Sequence, residues 1–245
     1  MNFAPPILIG FFVGNYEAGL FGAAFKVIII FMMIDRIFVN ILLPNFTAQW
    51  VSNPTFAKKN LELTSAILLA FGGAVSLGIA VGAPFIIDVL FGEEYLPGAP
   101  VLTLLSIFLF FTLQNSLFAF GLIAMGQDRD YFKVMVAGGI SAIFLMLVAS
   151  MVGNLWLIGL AISIGELIVA VLAYLFFSRH LKLKYLKNFT TVLVIGGLSF
   201  SGALLVSAPI LFKVALALLF YAICLFLFRV ISTKHIVWVK EKLWA

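Results

Sequence analysis

Among the charged side chains inside the apolar stretches of this sequence, four are its best candidates for chemistry. Lys26, Asp35 and Arg36 lie within residues 15–44, and Glu166 lies within a later apolar run. Charges at membrane depth are costly, and they usually face a bundle interior, a partner or water. A cation held there can compensate an anion such as a phosphate, whereas a carboxylate held there is protonated, paired with a cation or in contact with water.

Lys26 shares a helical face with small residues: Gly19, Gly22 and Ala23. Small residues let membrane helices approach closely. We therefore predict that Lys26 points toward other helices or toward a cavity between them. The alternative is a lysine that snorkels to the near membrane interface. Asp35 and Arg36 lie within about two to three helical turns of the helix end expected at Pro44, which favours an interfacial anchor over a substrate contact.

Glu166 lies near the middle of its apolar run, on a face of small residues. This position predicts either proton coupling or a structural hydrogen bond across a close helix contact. Lys26 is a conceivable partner for this carboxylate. Asn115 and Gln114 lie in another run and are predicted to form interhelical hydrogen bonds or, alternatively, to line a cavity.

Signatures of enzymes are weak in this chain. Residues 128–130 form a D-x-D sequence, which in principle binds a metal-bound sugar nucleotide but is more typical of a solvated loop. His180 and His235 stand apart in basic segments, and Cys224 is the single cysteine. We therefore predict no metal site, no cofactor and no enzymatic activity. The sequence has no phosphate-binding glycine loop of the P-loop type.

The composition predicts an all-α integral membrane protein. Of 245 residues, 64% are hydrophobic and 10% are charged, and the mean hydropathy is +1.22. A soluble domain is about half apolar and about a quarter charged. Seven apolar runs are long enough to span a bilayer, and a shorter run at residues 3–13 predicts a partial helix. Residues 45–60 are predicted to form a polar loop after the helix end at Pro44.

The basic residues predict the orientation of these helices. Successive loops lie on opposite sides of the membrane. Twelve of the lysines and arginines in them fall on one side, and Lys213 alone falls on the other. The twelve on the first side are Lys58, Lys59, Arg129, Lys133, Arg179, Lys182, Lys184, Lys187, Arg229, Lys234, Lys240 and Lys242. The positive-inside rule therefore places the basic loops and the C-terminus in the cytoplasm. The net charge of +5 reflects this topology and does not indicate nucleic-acid binding.

Several segments, in this order, resemble the polysaccharide flippases. They are GNYEAGLFGAAFKV in a helix ending in LLP, then LFGEEYLPGAPVLTLLS, then LIAMGQDRDYFKV, then GNLWLIGLAISIGELIVAVLAYLF. Together with the topology, this order is similar to the Wzx-type transporters of the multidrug/oligosaccharidyl-lipid/polysaccharide exporter superfamily. The resemblance covers nearly the whole chain.

That family has two six-helix lobes around a central cavity and two further helices at the C-terminus. The resemblance implies that residues 1–178 are the second lobe, that 179–230 are the two additional helices, and that 231–245 are a cytoplasmic amphipathic tail. The first lobe would then be missing, either because the chain is a fragment or because a partner supplies it.

The resemblance also implies a function. The family translocates lipid-linked oligosaccharide, carried on polyprenyl pyrophosphate, across the cell membrane by alternating access. Lys26 would contact the pyrophosphate, Glu166 and Asn115 would be cavity groups, and Arg36 is a weaker candidate. The alternatives are a drug or cation antiporter of the same superfamily, a membrane-embedded glycan enzyme, and a non-transporting half-transporter scaffold.

Overall fold

The computed structural model describes residues 9–231 and contains only helices there. Residues 9–12 are helical and correspond to the end of the predicted partial helix. Seven longer helices follow, with a short 3-10 helix, Glu93–Gly98, before the third. They are α1 (Asn15–Ser52), α2 (Pro54–Phe91), α3 (Ala99–Ala124), α4 (Asp128–Val152), α5 (Leu155–His180), α6 (Leu186–Leu205) and α7 (Ile210–Leu227). All seven are long and apolar enough to cross a membrane, which confirms the predicted class and the number of complete spanning helices.

Helix α3 lies at the centre of the bundle and packs against α1, α2 and α5. Helix α4 packs mainly against α5, and α6 and α7 pack against each other and against α2. The central position of α3 explains why its polar residues, Gln114 and Asn115, reach partners on other helices rather than lipid. The predicted cytoplasmic tail lies outside the described residues except for Ile231.

The connection between α1 and α2 differs from the predicted loop. Helix α1 continues through Pro44 to Ser52, so residues 45–60 are almost entirely helical and the predicted loop was wrong. Only Asn53 separates the two helices, and its side chain accepts a hydrogen bond from the Phe56 backbone N–H at 3.1 Å. A proline removes one hydrogen bond from a helix, and neighbouring helices in a bundle can offset that loss. The Asn53-Pro54 pair, an N-cap residue followed by proline, is the sequence signal for this helix start.

The two C-terminal helices are joined to the other five by buried hydrogen bonds. On α7, the Tyr221 hydroxyl donates to the Ala70 carbonyl of α2 at 3.2 Å, and Gly73 leaves room for the tyrosine because a Cβ there would overlap its hydroxyl. At the start of α6, the Tyr185 hydroxyl donates to Gln114 Oε1 at 3.2 Å. Burial raises the pKa of the Tyr185 phenol, so this group remains a donor.

Candidate functional site

Helix α1 presents a face that no helix within residues 9–231 covers, on which glycines and polar side chains alternate with the exposed apolar side chains of Ile30, Met33 and Ile37. The side chains of Lys26, Arg36 and Asn40 are exposed on this side. A methyl group placed on Gly19 or Gly22 would meet no atom within 4 Å. We call these five residues the open face. The structure therefore places Lys26 away from the other described helices, and this exposed position fits both a cavity and the snorkelling alternative.

The depth of Lys26 makes its contact with lipid unfavourable, whereas Arg36 lies at the end of the apolar segment. Lys26 lies 11 residues into α1, about 17 Å along the helix axis, and Arg36 lies about 15 Å further. The segment Asn15–Ile37 is the apolar part that would cross the membrane. Because an exposed charge in hydrocarbon is costly, the open face is suited to a water-filled cavity or to a second group of helices.

The opposite side of α1 carries Asp35, which points into the bundle. Nine residues separate it from Lys26, which at about 100° per residue places the two side chains on opposite faces. Asp35 and Ser116 of α3 line the same small cavity, and the Ser116 hydroxyl donates to the Thr112 carbonyl at 3.1 Å. The sequence predicted an interfacial anchor at Asp35, and the structure instead gives it a half-buried position between helices. The nine-residue spacing from an outward-facing lysine is the signal that could have identified it.

Glu166 of α5 lies close to Asp35. Its Oε1 accepts a hydrogen bond from the Asn115 amide at 3.1 Å, whereas the Thr112 hydroxyl donates to the Phe108 carbonyl at 3.0 Å. The two carboxylates are near enough to repel each other when both are charged. Asp35, Thr112, Asn115, Ser116 and Glu166 form what we call the carboxylate cluster. It brings Glu166 and Asn115 together as predicted for interhelical polar residues, but it does not include Lys26.

Two features of the carboxylate cluster and its surroundings suit a bound water molecule or cation. The Asn115 carbonyl oxygen is buried and has no hydrogen-bond partner. A cavity of about 30 Å³ lies beside Asp35 and Ser116 and is otherwise lined by apolar side chains. A volume of this size holds one or two water molecules. Carboxylate, amide and hydroxyl oxygens suit a proton, a water molecule or a hard cation.

A wider groove lies between α2, α3 and α6. Its volume is about 270 Å³, and its walls include Leu77, Ile107, Phe200 and two glycines of α6, Gly196 and Gly197. Ser76 also lines the groove, where its buried hydroxyl has no hydrogen-bond partner. The surface is almost entirely apolar, so the groove suits a hydrocarbon chain. No sequence pattern indicated it, because its walls come from three helices.

The D-x-D sequence occupies the start of α4. One of its carboxylates, Asp130, binds Lys133 Nζ and His180 Nε2, each at 2.9 Å. Across residues 9–231, no group of three histidine, cysteine or acidic side chains is placed to hold a metal ion. Asp130 therefore serves as a contact between helices in this structure.

The fold is similar to that of a known transporter. The lipid II flippase MurJ, solved in an inward closed conformation, matches with a TM-score of 0.72 over 91% of this chain. This chain shares the flippase's fold. The sequence identity is 14%, and the match spans 49% of the flippase, so the chain covers about half of that protein's length. No protein-family model and no curated protein matches the sequence.

Proposed function

We propose that the protein is one lobe of a flippase that moves an anionic, lipid-linked substrate across the plasma membrane. The observation that carries this proposal is the open face of α1, which exposes Lys26 within the apolar segment Asn15–Ile37 and Arg36 at the end of that segment. The shared fold with a lipid II flippase supports a lipid-linked substrate. The same fold supports a transporter rather than an enzyme.

The proposed substrate is an oligosaccharide on polyprenyl pyrophosphate, as used in cell-envelope polysaccharide synthesis. Lys26 contacts the pyrophosphate, and Arg36 is a second contact about 15 Å away along α1. Charge-assisted hydrogen bonds offset the cost of moving phosphate oxygens out of bulk water. The apolar groove between α2, α3 and α6 has the character needed for the prenyl chain, which avoids water throughout the cycle.

The carboxylate cluster is proposed to couple this movement to a cation. Asp35 and Glu166 are on different helices, α1 and α5. Glu166 accepts a hydrogen bond from Asn115 of the central helix α3, and Asp35 lines a cavity together with Ser116 of α3. Binding of a proton or a monovalent cation would relieve the repulsion between the carboxylates and draw the helices together. Glu166 and Asn115 thus act inside the lobe rather than on the substrate.

A second lobe is required for alternating access. We propose that residues 1–178 are one lobe, that 179–230 are two additional helices, and that the other lobe, in the same or a partner chain, lies opposite the open face. The basic loops and the C-terminus would then be cytoplasmic, as the charge distribution predicts.

The test is transport in the source cells, where any partner lobe is present. The chromosomal gene is replaced by variants, and the fraction of lipid-linked oligosaccharide open to an impermeant glycosidase outside the membrane is measured. We expect Lys26→Met to lower this fraction at least tenfold and Lys26→Arg to keep most of it. Lys59→Met, which changes an exposed lysine beyond the open face, is the matched control.

Unchanged glycan export by Lys26→Met would refute the proposed role of the open face. If the same variant also kept resistance to cationic drugs, and Glu166→Gln lost it, the antiporter alternative would replace the flippase. The exposed cations of the open face argue against that alternative, because a cationic drug would be repelled there.

A further inference from the structure

The α4–α5 hairpin has two different ends. At one end the helices are joined by a turn at Gly153 and Asn154, where Gly153 takes a left-handed conformation with φ of 73°. At the other end no covalent link holds them together. The start of α4 is joined to α3 by the short turn at residues 125–127, and along its length α4 packs mainly against α5.

At the end of the hairpin away from Gly153, one carboxylate connects the two helices. Asp130 in the first turn of α4 places Oδ2 at 2.9 Å from Nε2 of His180, the last residue of α5. Its other oxygen, Oδ1, lies 2.9 Å from Nζ of Lys133. The Asp130 side chain is 17% exposed, His180 29% and Lys133 61%, so the contact between helices is the more sheltered of the two.

Other charges surround this contact without replacing it. On α5, the Arg179 guanidinium lies over the Phe176 ring at 4.3 Å from its centre, and Lys133 of α4 lies over the same ring at 5.8 Å. Asp128 and Arg129 precede Asp130 on α4. After α5, Lys182 and Lys184 follow His180, and the Lys184 backbone N–H donates to Glu62 of α2 at 3.2 Å. Among the residues that the structure describes, Asp130 is the acidic side chain in contact with His180.

We propose that His180 and Asp130 form a pH-sensitive latch that holds the first turn of α4 against the last turn of α5. Histidine side chains change charge between pH 5 and 8. When His180 is protonated, the contact is an ion pair with a charge-assisted hydrogen bond; when it is neutral, only a weaker hydrogen bond remains. The latch is therefore closed at low pH and loosens as the pH rises. It affects α5, which carries Glu166, but it does not depend on the substrate proposed above.

Hydrogen–deuterium exchange of the purified protein tests the latch directly. Amides 132–137 in the second turn of α4 are compared between the native protein and His180→Gln at pH 6 and at pH 8. Comparison at the same pH cancels the intrinsic dependence of exchange on pH. We expect the variant to exchange about two- to fivefold faster at pH 6, the size typical of a partly exposed ion pair, and nearly equally at pH 8.

Two further variants distinguish loss of the His180–Asp130 contact from a general loss of stability. His180→Arg keeps a positive charge at every pH, so it should slow exchange relative to the native protein at pH 8 and match it at pH 6. Lys133→Gln removes the pair within α4 and should leave the pH dependence intact. The proposal is refuted if the ratio for His180→Gln is the same at both pH values, or if amides in α2 exchange faster to the same degree.

Discussion

Replacement of Gly138 by alanine tests the contact that aligns α4 with α5. Gly138 is buried against Val169, and a Cβ at this position would overlap Val169 Cγ2 and lie 3.3 Å from Val169 Cβ. Valine has one strongly preferred rotamer in a helix, so its methyl group cannot easily turn away. The neighbouring Gly139 is the matched control, because a Cβ there would meet no atom within 4 Å.

Gly138→Ala and Gly139→Ala share one effect on the free energy of unfolding and differ in a second. Alanine is favoured over glycine in a helix by about 0.5–1 kcal/mol, and this gain applies to both positions. Overlap with a packed side chain costs about 1–3 kcal/mol and applies only to Gly138→Ala. The difference between the variants therefore isolates the overlap. At a typical value of about 2 kcal/mol, Gly138→Ala should unfold about 4–8 °C below Gly139→Ala.

Thermal unfolding of the purified protein in detergent, followed by tryptophan fluorescence, measures this difference. Adding Val169→Ala removes the overlapping methyl groups, so Gly138→Ala should lose its penalty in that background. Equal midpoints for Gly138→Ala and Gly139→Ala in the native background would refute the close contact between α4 and α5. They would also remove the structural basis for the position of Glu166, which is about one turn from Val169 on α5.

Three further predictions follow from other contacts. Asn53→Ala removes the N-cap of α2 and should cost about 1 kcal/mol in unfolding free energy, whereas Asn53→Ser should restore most of it. Tyr221→Phe removes the hydrogen bond to the Ala70 carbonyl and should cost about 1 kcal/mol, measured by the same thermal assay; no change would show that the bond is not needed to hold α7. A single cysteine at Ser178, in a background without the native cysteine, should be labelled by an impermeant maleimide only from the cytoplasm. One at Gly153 should be labelled only from outside, and the reverse pattern would overturn the orientation.

The membrane class and the seven spanning helices could be predicted from the sequence because hydropathy is local. A stretch of about 20 apolar residues meets the requirement for spanning by itself, whatever it packs against. The same reliance on local sequence explains why residues 45–60 were wrongly predicted to form a loop. Proline and polar residues usually end a membrane helix, but here α1 continues past Pro44 because neighbouring side chains support it, as in the hydrogen bond from Asn60 to Gln49 at 2.8 Å.

The candidate site was predicted only in part. Lys26 and Glu166 were identified because charges in apolar runs are rare. That Glu166 is bound by Asn115, 51 residues earlier, and that His180 is bound by Asp130, 50 residues earlier, depends on how whole helices rotate and pack. Tertiary structure alone decided that Lys26 lies on an open face while Asp35 points inward. Composition determines that a helix enters the membrane, whereas its rotation is set by the close packing of side chains from several helices at once.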